Sequence, residues 1–188
     1  MTSLILIGPP GAGKGTQAEL ITKRLGIPHI STGAIFRANA AAGTALGLKA
    51  QEFMSRGEYV PDEVTNAMVR NRLGEPDTAG GYLLDGYPRT LEQVGELDII
   101  LADLGRSLDA VVEITADPAE VTTRLLARAA KEGRADDTEE VITRRLEVYA
   151  EQTAPIIAVY DQRGLVRKVD GLGTVDEVHE RIVAALGA

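Results

Sequence analysis

A glycine-rich segment near the start of the chain has the composition of a phosphate-binding loop. Residues 8–16 read Gly-Pro-Pro-Gly-Ala-Gly-Lys-Gly-Thr and follow a short apolar run at residues 4–7. Glycines let successive backbone N–H groups turn inward toward phosphate oxygens, and the lysine adds a mobile positive charge. A helix that begins at the lysine adds the positive end of its dipole. This order predicts a nucleoside triphosphate site, whereas a glycine turn without a ligand is the weaker interpretation.

The loop departs from the usual pattern at one position, because Gly15 follows Lys14 and the hydroxyl comes one residue later, at Thr16. The residues of this loop that we expect to contact a triphosphate are Gly11, Ala12, Gly13, Lys14, Gly15 and Thr16.

The charge of the chain limits its partners. It has 188 residues with 20 basic and 28 acidic side chains, a formal net charge of −8, and a sequence pI near 4.9. This balance disfavours nucleic acids and anionic membranes as partners. The chain has no cysteine, which excludes thiolate zinc sites and cysteine nucleophiles. No segment has the pattern of a membrane span or a signal peptide, so we expect a cytoplasmic protein.

Apolar runs and helical patterns alternate along the chain, which predicts a parallel α/β sheet covered by helices on both faces. The predicted strands are residues 3–7, 28–31, 82–85, 110–114 and 165–169. The predicted helices are 14–25, 61–73, 89–104, 117–131, 138–162 and 174–186, with Pro155 interrupting the fifth. Residues 31–60 are too long for a simple crossover and predict a small helical insertion. Residues 131–137 form a polar hinge, with Asp136 or Asp137 as the expected cap of the next helix.

Several motifs in one order resemble the adenylate kinase family, in its form with a short lid, over essentially the whole chain. They are the loop at 8–16, Ser31-Thr32-Gly33 with Arg37, Asp85-Gly86-Tyr87-Pro88-Arg89 with Gln93, Gly133-Arg134-x-Asp136-Asp137, and Arg144-Arg145-Leu146-Glu147-x-Tyr149.

The resemblance implies a monomeric enzyme that reversibly transfers the terminal phosphoryl group of ATP to AMP, giving two ADP. The implied fold is a P-loop three-layer sandwich with a five-stranded parallel sheet. The implied units are a core with the P-loop (1–30), an insertion that binds the nucleoside monophosphate (31–60), core (61–126), a short lid (127–138) and core (139–188). Residues 31–60 and 127–138 would close over the two nucleotides and exclude water.

The resemblance also assigns cationic side chains to catalysis, since two nucleotides and a phosphoryl group in transfer concentrate negative charge. They are Lys14, Arg37, Arg89, Arg124, Arg128, Arg134 and Arg145. The alternative for each arginine is a solvated surface charge or an ion pair with a residue four positions away on its own helix. For Arg124 this alternative is about equally weighted, and for Arg144 it is the expectation.

For the donor nucleotide, the resemblance adds Arg128 and the carbonyl of Gly173 to the loop residues. Gln93 is expected to pair with adenine N6–H₂ and N1, since its amide offers both an acceptor and donors. With Thr32, it favours AMP over UMP or CMP as acceptor. The implied AMP-binding residues are Thr32, Arg37, Glu58, Tyr59, Val60, Gly86, Tyr87, Pro88, Arg89, Gln93, Arg134 and Arg145.

Asp85 is expected to bind the water ligands of Mg²⁺ that arrives with ATP, since Mg²⁺ keeps most of its waters. Ala34 occupies a place where related kinases usually have an acidic residue. His29 and His179 are expected to be structural or exposed. Two alternatives stay open: another nucleoside monophosphate kinase, and a nucleotide-dependent switch. A switch is disfavoured because the chain lacks an Asn-Lys-x-Asp segment.

Overall fold

Within residues 2–132 and 138–187, which the computed structural model describes, five parallel strands form one sheet. Their order is β2-β3-β1-β4-β5, so β1 lies at the centre. The strands are β1 (Thr2–Ile7), β2 (His29–Ser31), β3 (Gly81–Asp85), β4 (Ala110–Thr115) and β5 (Val166–Asp170). The predicted fold class is confirmed, and every predicted strand lies within one residue of its observed bounds.

Both faces of the sheet are covered, which explains the continuous apolar runs of the three central strands, β1, β3 and β4. Side chains of β1 alternate between the faces: Leu4 and Leu6 belong to one buried cluster, and Ile5 and Ile7 to the other. The helices are α1 (Lys14–Leu25), α2 (Thr32–Ala41), α3 (Ala45–Met54), α4 (Asp62–Leu73), α5 (Leu91–Asp103), α6 (Pro118–Glu132), α7 (Glu139–Val148), α8 (Ala154–Gln162) and α9 (Val175–Leu186).

The helices divide between the two faces of the sheet. Helices α1 and α9 pack on the face with Leu4 and Leu6, whereas α4, α5 and α8 pack on the other. Within the described ranges, no helix is both long enough and apolar enough to cross a membrane. Residues 31–60 contain α2 and α3, which have a small cluster of their own around Phe36, Ala50 and Val60.

The helix predicted over 138–162 is divided as expected near Pro155, and a wide turn precedes the proline. A π-helical turn (Tyr149–Thr153) joins α7 to α8, and the N–H of Ala154 donates to the carbonyl oxygen of Tyr149, five residues earlier. Proline has no N–H and its ring would collide with the carbonyl four residues before it. The widened turn accommodates this clash and turns Thr153 inward, where it is 5% exposed.

The expected cap of α7 is corrected by the structure. Thr138 is the N-cap residue, and its side chain accepts a hydrogen bond from the N–H of Val141. Threonine is a strong N-cap residue, so the helix needs no aspartate at this place. Asp136 and Asp137 lie outside the described residues.

The topology brings the predicted motifs to one edge of the sheet. Strand β1 has β3 on one side and β4 on the other, and Leu6 is in register with Asp85. The phosphate loop therefore leaves the sheet beside Asp85, where the carboxyl ends of β1, β2 and β3 meet. The connection after β1 runs to one side of the sheet and the connection after β3 runs to the other. A crevice between two such strands, at their carboxyl ends, is the usual ligand site of open parallel sheets.

Gly81 allows the start of β3 to pair closely with β1. Its φ is 137°, and a Cβ there would lie 2.4 Å from the carbonyl oxygen of Thr2.

We predict that Gly81→Ala lowers the free energy of unfolding by at least about 2 kcal/mol, the scale for side chains forced into this backbone region. Gly80→Ala is the matched control, because a Cβ at Gly80 meets no described atom within 4 Å. Chemical denaturation measures both; equal losses would contradict this account.

Candidate active site

The loop between β1 and α1 has the backbone of an anion cradle. Gly11 and Gly13 have φ of 83° and 85°, values that side chains disfavour. A Cβ at Gly11 would also lie 2.9 Å from Leu125 Cγ, whereas Gly13 and Gly15 meet no described atom within 4 Å and border open space. Gly13 precedes α1 with no side-chain cap. The first N–H groups of α1 are therefore available to an anion.

Lys14 lies over this loop. Its Nζ donates to the carbonyl oxygens of Gly8 at 2.7 Å and Pro9 at 2.9 Å. The ammonium group is thus already held above the backbone amides that would surround a phosphate. A positive charge in this place suits the terminal phosphates of a nucleotide.

Arg89 is held at its backbone and at its side chain. Its Nε donates to the carbonyl oxygen of Gly86 at 2.8 Å, and its guanidinium carbon lies 4.9 Å from the centre of the Tyr59 ring. Its backbone N–H donates to Gln93 Oε1 at 2.7 Å. Gly86 makes room for this arrangement, since a Cβ there would lie 2.8 Å from Arg89 Nη2. Such a fixed, planar guanidinium fork can donate to two oxygens of one phosphate group.

Thr153 joins the π-helical turn to both Arg89 and Tyr59. Its Oγ1 donates to the carbonyl oxygen of Arg89 at 2.9 Å and lies 2.7 Å from the hydroxyl of Tyr59. A threonine hydroxyl has one proton, so the Tyr59 hydroxyl is the donor in the second bond. Tyr59, Thr153 and Arg89 therefore form a closed ring of contacts, because the Tyr59 ring also supports the Arg89 guanidinium.

Gln93 is 1% exposed, and both ends of its amide have partners. Oε1 accepts from the Arg89 N–H, and Nε2 donates to Asp62 Oδ1 at 2.6 Å. An amide oxygen accepts two hydrogen bonds and an amide nitrogen donates two. One acceptor position and one N–H thus remain for a base, as the expected pairing with adenine requires.

Asp85 ends β3 with a buried carboxylate. Its Oδ2 lies 3.3 Å from His29 Nε2. Burial alone would raise the pKa of Asp85, but the hydrogen bond from His29 and the charges of Lys14 and Arg89 outweigh it and hold this pKa below its ordinary value. Asp85 is therefore an anion at neutral pH. His29 was expected to be structural or exposed, and it contacts this carboxylate directly.

Tyr59, Arg89 and Gln93 border one cleft, whose cavity volume is about 110 Å³ and which is partly open to solvent. Arg145 reaches the cleft from α7, which packs closely against Gly57. A Cβ on Gly57 would lie 3.2 Å from Arg145 Cγ. Lys14 also lines the cleft. The predicted AMP-binding residues that line it are Thr32, Arg37, Glu58, Tyr59, Val60, Gly86, Pro88, Arg89, Gln93 and Arg145.

Other predicted residues lie elsewhere. The Tyr87 side chain is buried in the core, and its hydroxyl donates to Asn66 Oδ1 at 2.8 Å. Arg124 pairs with Glu120 on its own helix and lies 3.4 Å from the carbonyl oxygen of Gly171, in the same loop as Gly173. Arg144 is a half-exposed surface charge, as expected, and it pairs with Glu147 three positions along its own helix. The side chain of Arg128 and the whole of Arg134 lie outside the described residues.

The structure adds cleft residues to which the sequence motifs assigned no role in binding. Thr153 and Tyr149 line the cleft from the π-helical turn. Burial raises the pKa of Tyr149 to about 12, so its hydroxyl stays protonated at neutral pH. Asp62 contacts the cleft residue Gln93 and was also missed. Neither Asp62 nor Thr153 has a local sequence signal, because each meets a partner far away in the chain.

The parallel sheet, the phosphate loop and the cationic cleft together define a P-loop nucleotide kinase. A family model described as adenylate kinase matches residues 6–165. Proteins named adenylate kinase from Nocardioides sp. and Kocuria rhizophila are 62% and 60% identical to the chain; the matches cover 97% and 99% of this chain and 96% and 99% of theirs. A third from Thermobifida fusca is 55% identical over 97% of both chains. The chain belongs to the adenylate kinase family and is an enzyme of this type.

The ring of contacts around Thr153 predicts an energetic coupling between Tyr59 and Thr153. Tyr59→Phe should lower the free energy of unfolding by about 1 kcal/mol, the usual net contribution of one hydrogen bond, and Thr153→Val, which removes two hydrogen bonds, should lower it by about 2 kcal/mol. The double variant should lose less than the sum, since both changes remove the same bond.

Chemical denaturation of the four proteins measures this coupling. Tyr160→Phe is the matched control, because the Tyr160 hydroxyl is buried and has no hydrogen-bond partner among the described residues. Its removal should leave stability equal or higher. Strict additivity of the Tyr59 and Thr153 changes would show that the two hydroxyls act independently.

Proposed function

We propose that this chain catalyses the reversible transfer of the terminal phosphoryl group of ATP to AMP, giving two ADP. The observation that carries the proposal is the position of Lys14 and its loop on the same cleft as Arg89 and Gln93. One side offers backbone amides and an ammonium group to a triphosphate. The other offers a guanidinium group to a monophosphate and an amide to its base.

Positioning and charge neutralisation supply most of the catalysis in this kind of transfer. Lys14, Arg37, Arg89 and Arg145 are the cationic cleft residues to which we assign this work. Arg124, Arg128 and Arg134 are proposed to join them when both nucleotides are bound. The acceptor is itself a phosphate anion, so the reaction needs no side chain to remove a proton from it.

The donor nucleotide is proposed to bind in the phosphate loop. Its phosphates would contact the backbone of residues 11–16 and the side chain of Lys14, and its base would contact the carbonyl of Gly173. The acceptor would lie between Thr32, Arg37 and Arg89 for its phosphate, with its nucleoside along residues 58–60 and its base at Gln93.

Mg²⁺ fits this site as an ion that the nucleotide brings with it. The described residues contain no group of three or more acidic or histidine side chains able to hold a metal by themselves. Asp85 supplies one anionic carboxylate at the edge where the phosphate loop leaves the sheet. Through water ligands, this carboxylate would hold an ion that screens the phosphate charges and draws electron density from the transferred group.

Closure of the two flaps, 31–60 and 127–138, is proposed to exclude water during transfer, since water would otherwise accept the phosphoryl group. We also propose that the enzyme works as a monomer in the cytoplasm. The insertion has its own small cluster around Phe36, which suits movement as one piece.

The test of this function is the formation of ADP from ATP and AMP with Mg²⁺ present, followed by a coupled assay. We expect turnover that depends on AMP and stops when Mg²⁺ is chelated. AMP should exceed UMP, CMP and GMP as acceptor, because the Gln93 amide suits adenine. A triphosphate that is hydrolysed equally fast without any acceptor would instead support a nucleotide-dependent switch.

The roles of Lys14 and Arg89 predict severe losses of turnover. Lys14→Ala and Arg89→Ala should each lower kcat by about 10³-fold or more, the scale for a charge that stabilises phosphoryl transfer. Arg163→Ala is the matched control, since Arg163 also lies over a tyrosine ring, at 5.4 Å from Tyr160, but is paired with Asp98 away from the cleft. Its kcat should match that of the unaltered enzyme. Near-normal turnover in either cleft variant would remove that residue from the mechanism.

A further inference from the structure

The amide of Gln93 has two neighbours of opposite hydrogen-bonding character. The backbone N–H of Arg89 can only donate, and it faces Oε1 at 2.7 Å. The carboxylate of Asp62 accepts, and its Oδ1 faces Nε2 at 2.6 Å. A glutamine amide can turn by about 180° and exchange its oxygen and nitrogen, so its neighbours decide which orientation is present.

The reversed orientation is disfavoured at both ends. It would place Nε2 against the Arg89 N–H, so that two donors face each other. It would also place Oε1 against Asp62 Oδ1, so that two acceptors face each other, one of them on a carboxylate. Both contacts would involve the Gln93 amide, which is 1% exposed, and unpaired polar groups are most unfavourable in buried positions.

Asp62 is itself held in place, which makes it a reliable orienting group. It is the first residue of α4 and lies two positions after the 58–60 segment proposed for the acceptor nucleoside. Its Oδ2 accepts from the hydroxyl of Thr90 at 2.8 Å, and the same hydroxyl caps α5 by accepting from the N–H of Gln93. The carboxylate thus connects the starts of two helices and faces one end of the amide.

The orientation of this amide decides which purine it reads. Adenine offers a donor at N6 and an acceptor at N1, so it needs the amide oxygen and an amide N–H in that order. A 6-oxopurine offers an acceptor at O6 and a donor at N1, so it needs the reverse order. The two bases have nearly the same shape, and therefore the rejection of a 6-oxopurine must come from the hydrogen bonds.

We propose that Asp62 is a specificity-determining positioning residue, which holds the Gln93 amide in the orientation that accepts AMP and rejects 6-oxopurine monophosphates. This inference rests on the proposed function, in which Gln93 reads the acceptor base.

The test compares AMP with inosine monophosphate as acceptors, with ATP saturating. In Asp62→Leu the orienting acceptor is lost, and the ratio of kcat/KM for AMP to that for inosine monophosphate should fall by about tenfold, the range of discrimination of one amide–base pair. Asp62→Asn keeps an oxygen that can accept from Nε2, so its ratio should stay within about threefold of that of the unaltered enzyme. The KM for ATP should not change in either variant.

Further variants separate orientation from stability. In Asp62→Ala, water can take the place of the carboxylate and can either donate to the amide or accept from it. The ratio of kcat/KM for AMP to that for inosine monophosphate should therefore fall as in Asp62→Leu. This variant replaces Asp62→Leu if the latter does not fold. Thr90→Val removes the hydroxyl that holds Asp62 and caps α5 but leaves the Asp62 carboxylate beside Gln93 Nε2, so it should lower stability while its ratio falls less than that of Asp62→Leu. A merely structural role of Asp62 predicts equal losses with both nucleotides and an unchanged ratio, which would overturn the proposal.

Failure of the proposed function gives a different result. In that case the unaltered enzyme would form no ADP from ATP and AMP. An unaltered enzyme that prefers AMP, together with unchanged ratios in Asp62→Leu and Asp62→Ala, would overturn the role of Asp62 alone.

Discussion

The parallel pairing of β1 between β3 and β4 is the constraint on which the rest of the molecule depends. It sends the carboxyl ends of neighbouring strands to one edge, so the phosphate loop after β1 leaves the sheet beside Asp85 at the end of β3. The phosphate loop and Asp85, which lie about 70 positions apart in the chain, become neighbours through this strand pairing. The sheet is buried on both faces, which keeps this edge fixed.

Acidic residues outnumber basic ones in the whole molecule, yet the cleft gathers positive charge. Lys14, Arg37, Arg89 and Arg145 line it, in a chain with a formal net charge of −8. Local arrangement therefore outweighs the overall field for a bound anion, since charges within a few ångströms in a partly buried cleft interact more strongly than distant screened ones. The surrounding acidic surface keeps unspecific polyanions away from the molecule.

The sequence predicted the features that depend on local order and missed those that depend on distant partners. Apolar runs located all five strands, and the spacing of glycines located the phosphate loop, because both signals lie within a few residues of each other. Asp62 and Thr153 had no such signal. They meet Gln93 and Tyr59, which are 31 and 94 positions away in the chain. The π-helical turn that exposes Thr153 to the cleft follows from Pro155, but a proline alone predicts an interruption and not its shape.

Lys14 already has partners before any nucleotide arrives, which positions its charge in advance. Its ammonium group donates to the backbone carbonyl oxygens of Gly8 and Pro9. A long, flexible side chain loses conformational freedom when it is fixed, and here part of that loss has already occurred on folding. A chain of phosphates can therefore meet the ammonium group and the first amides of α1 with less further ordering than a mobile lysine would need.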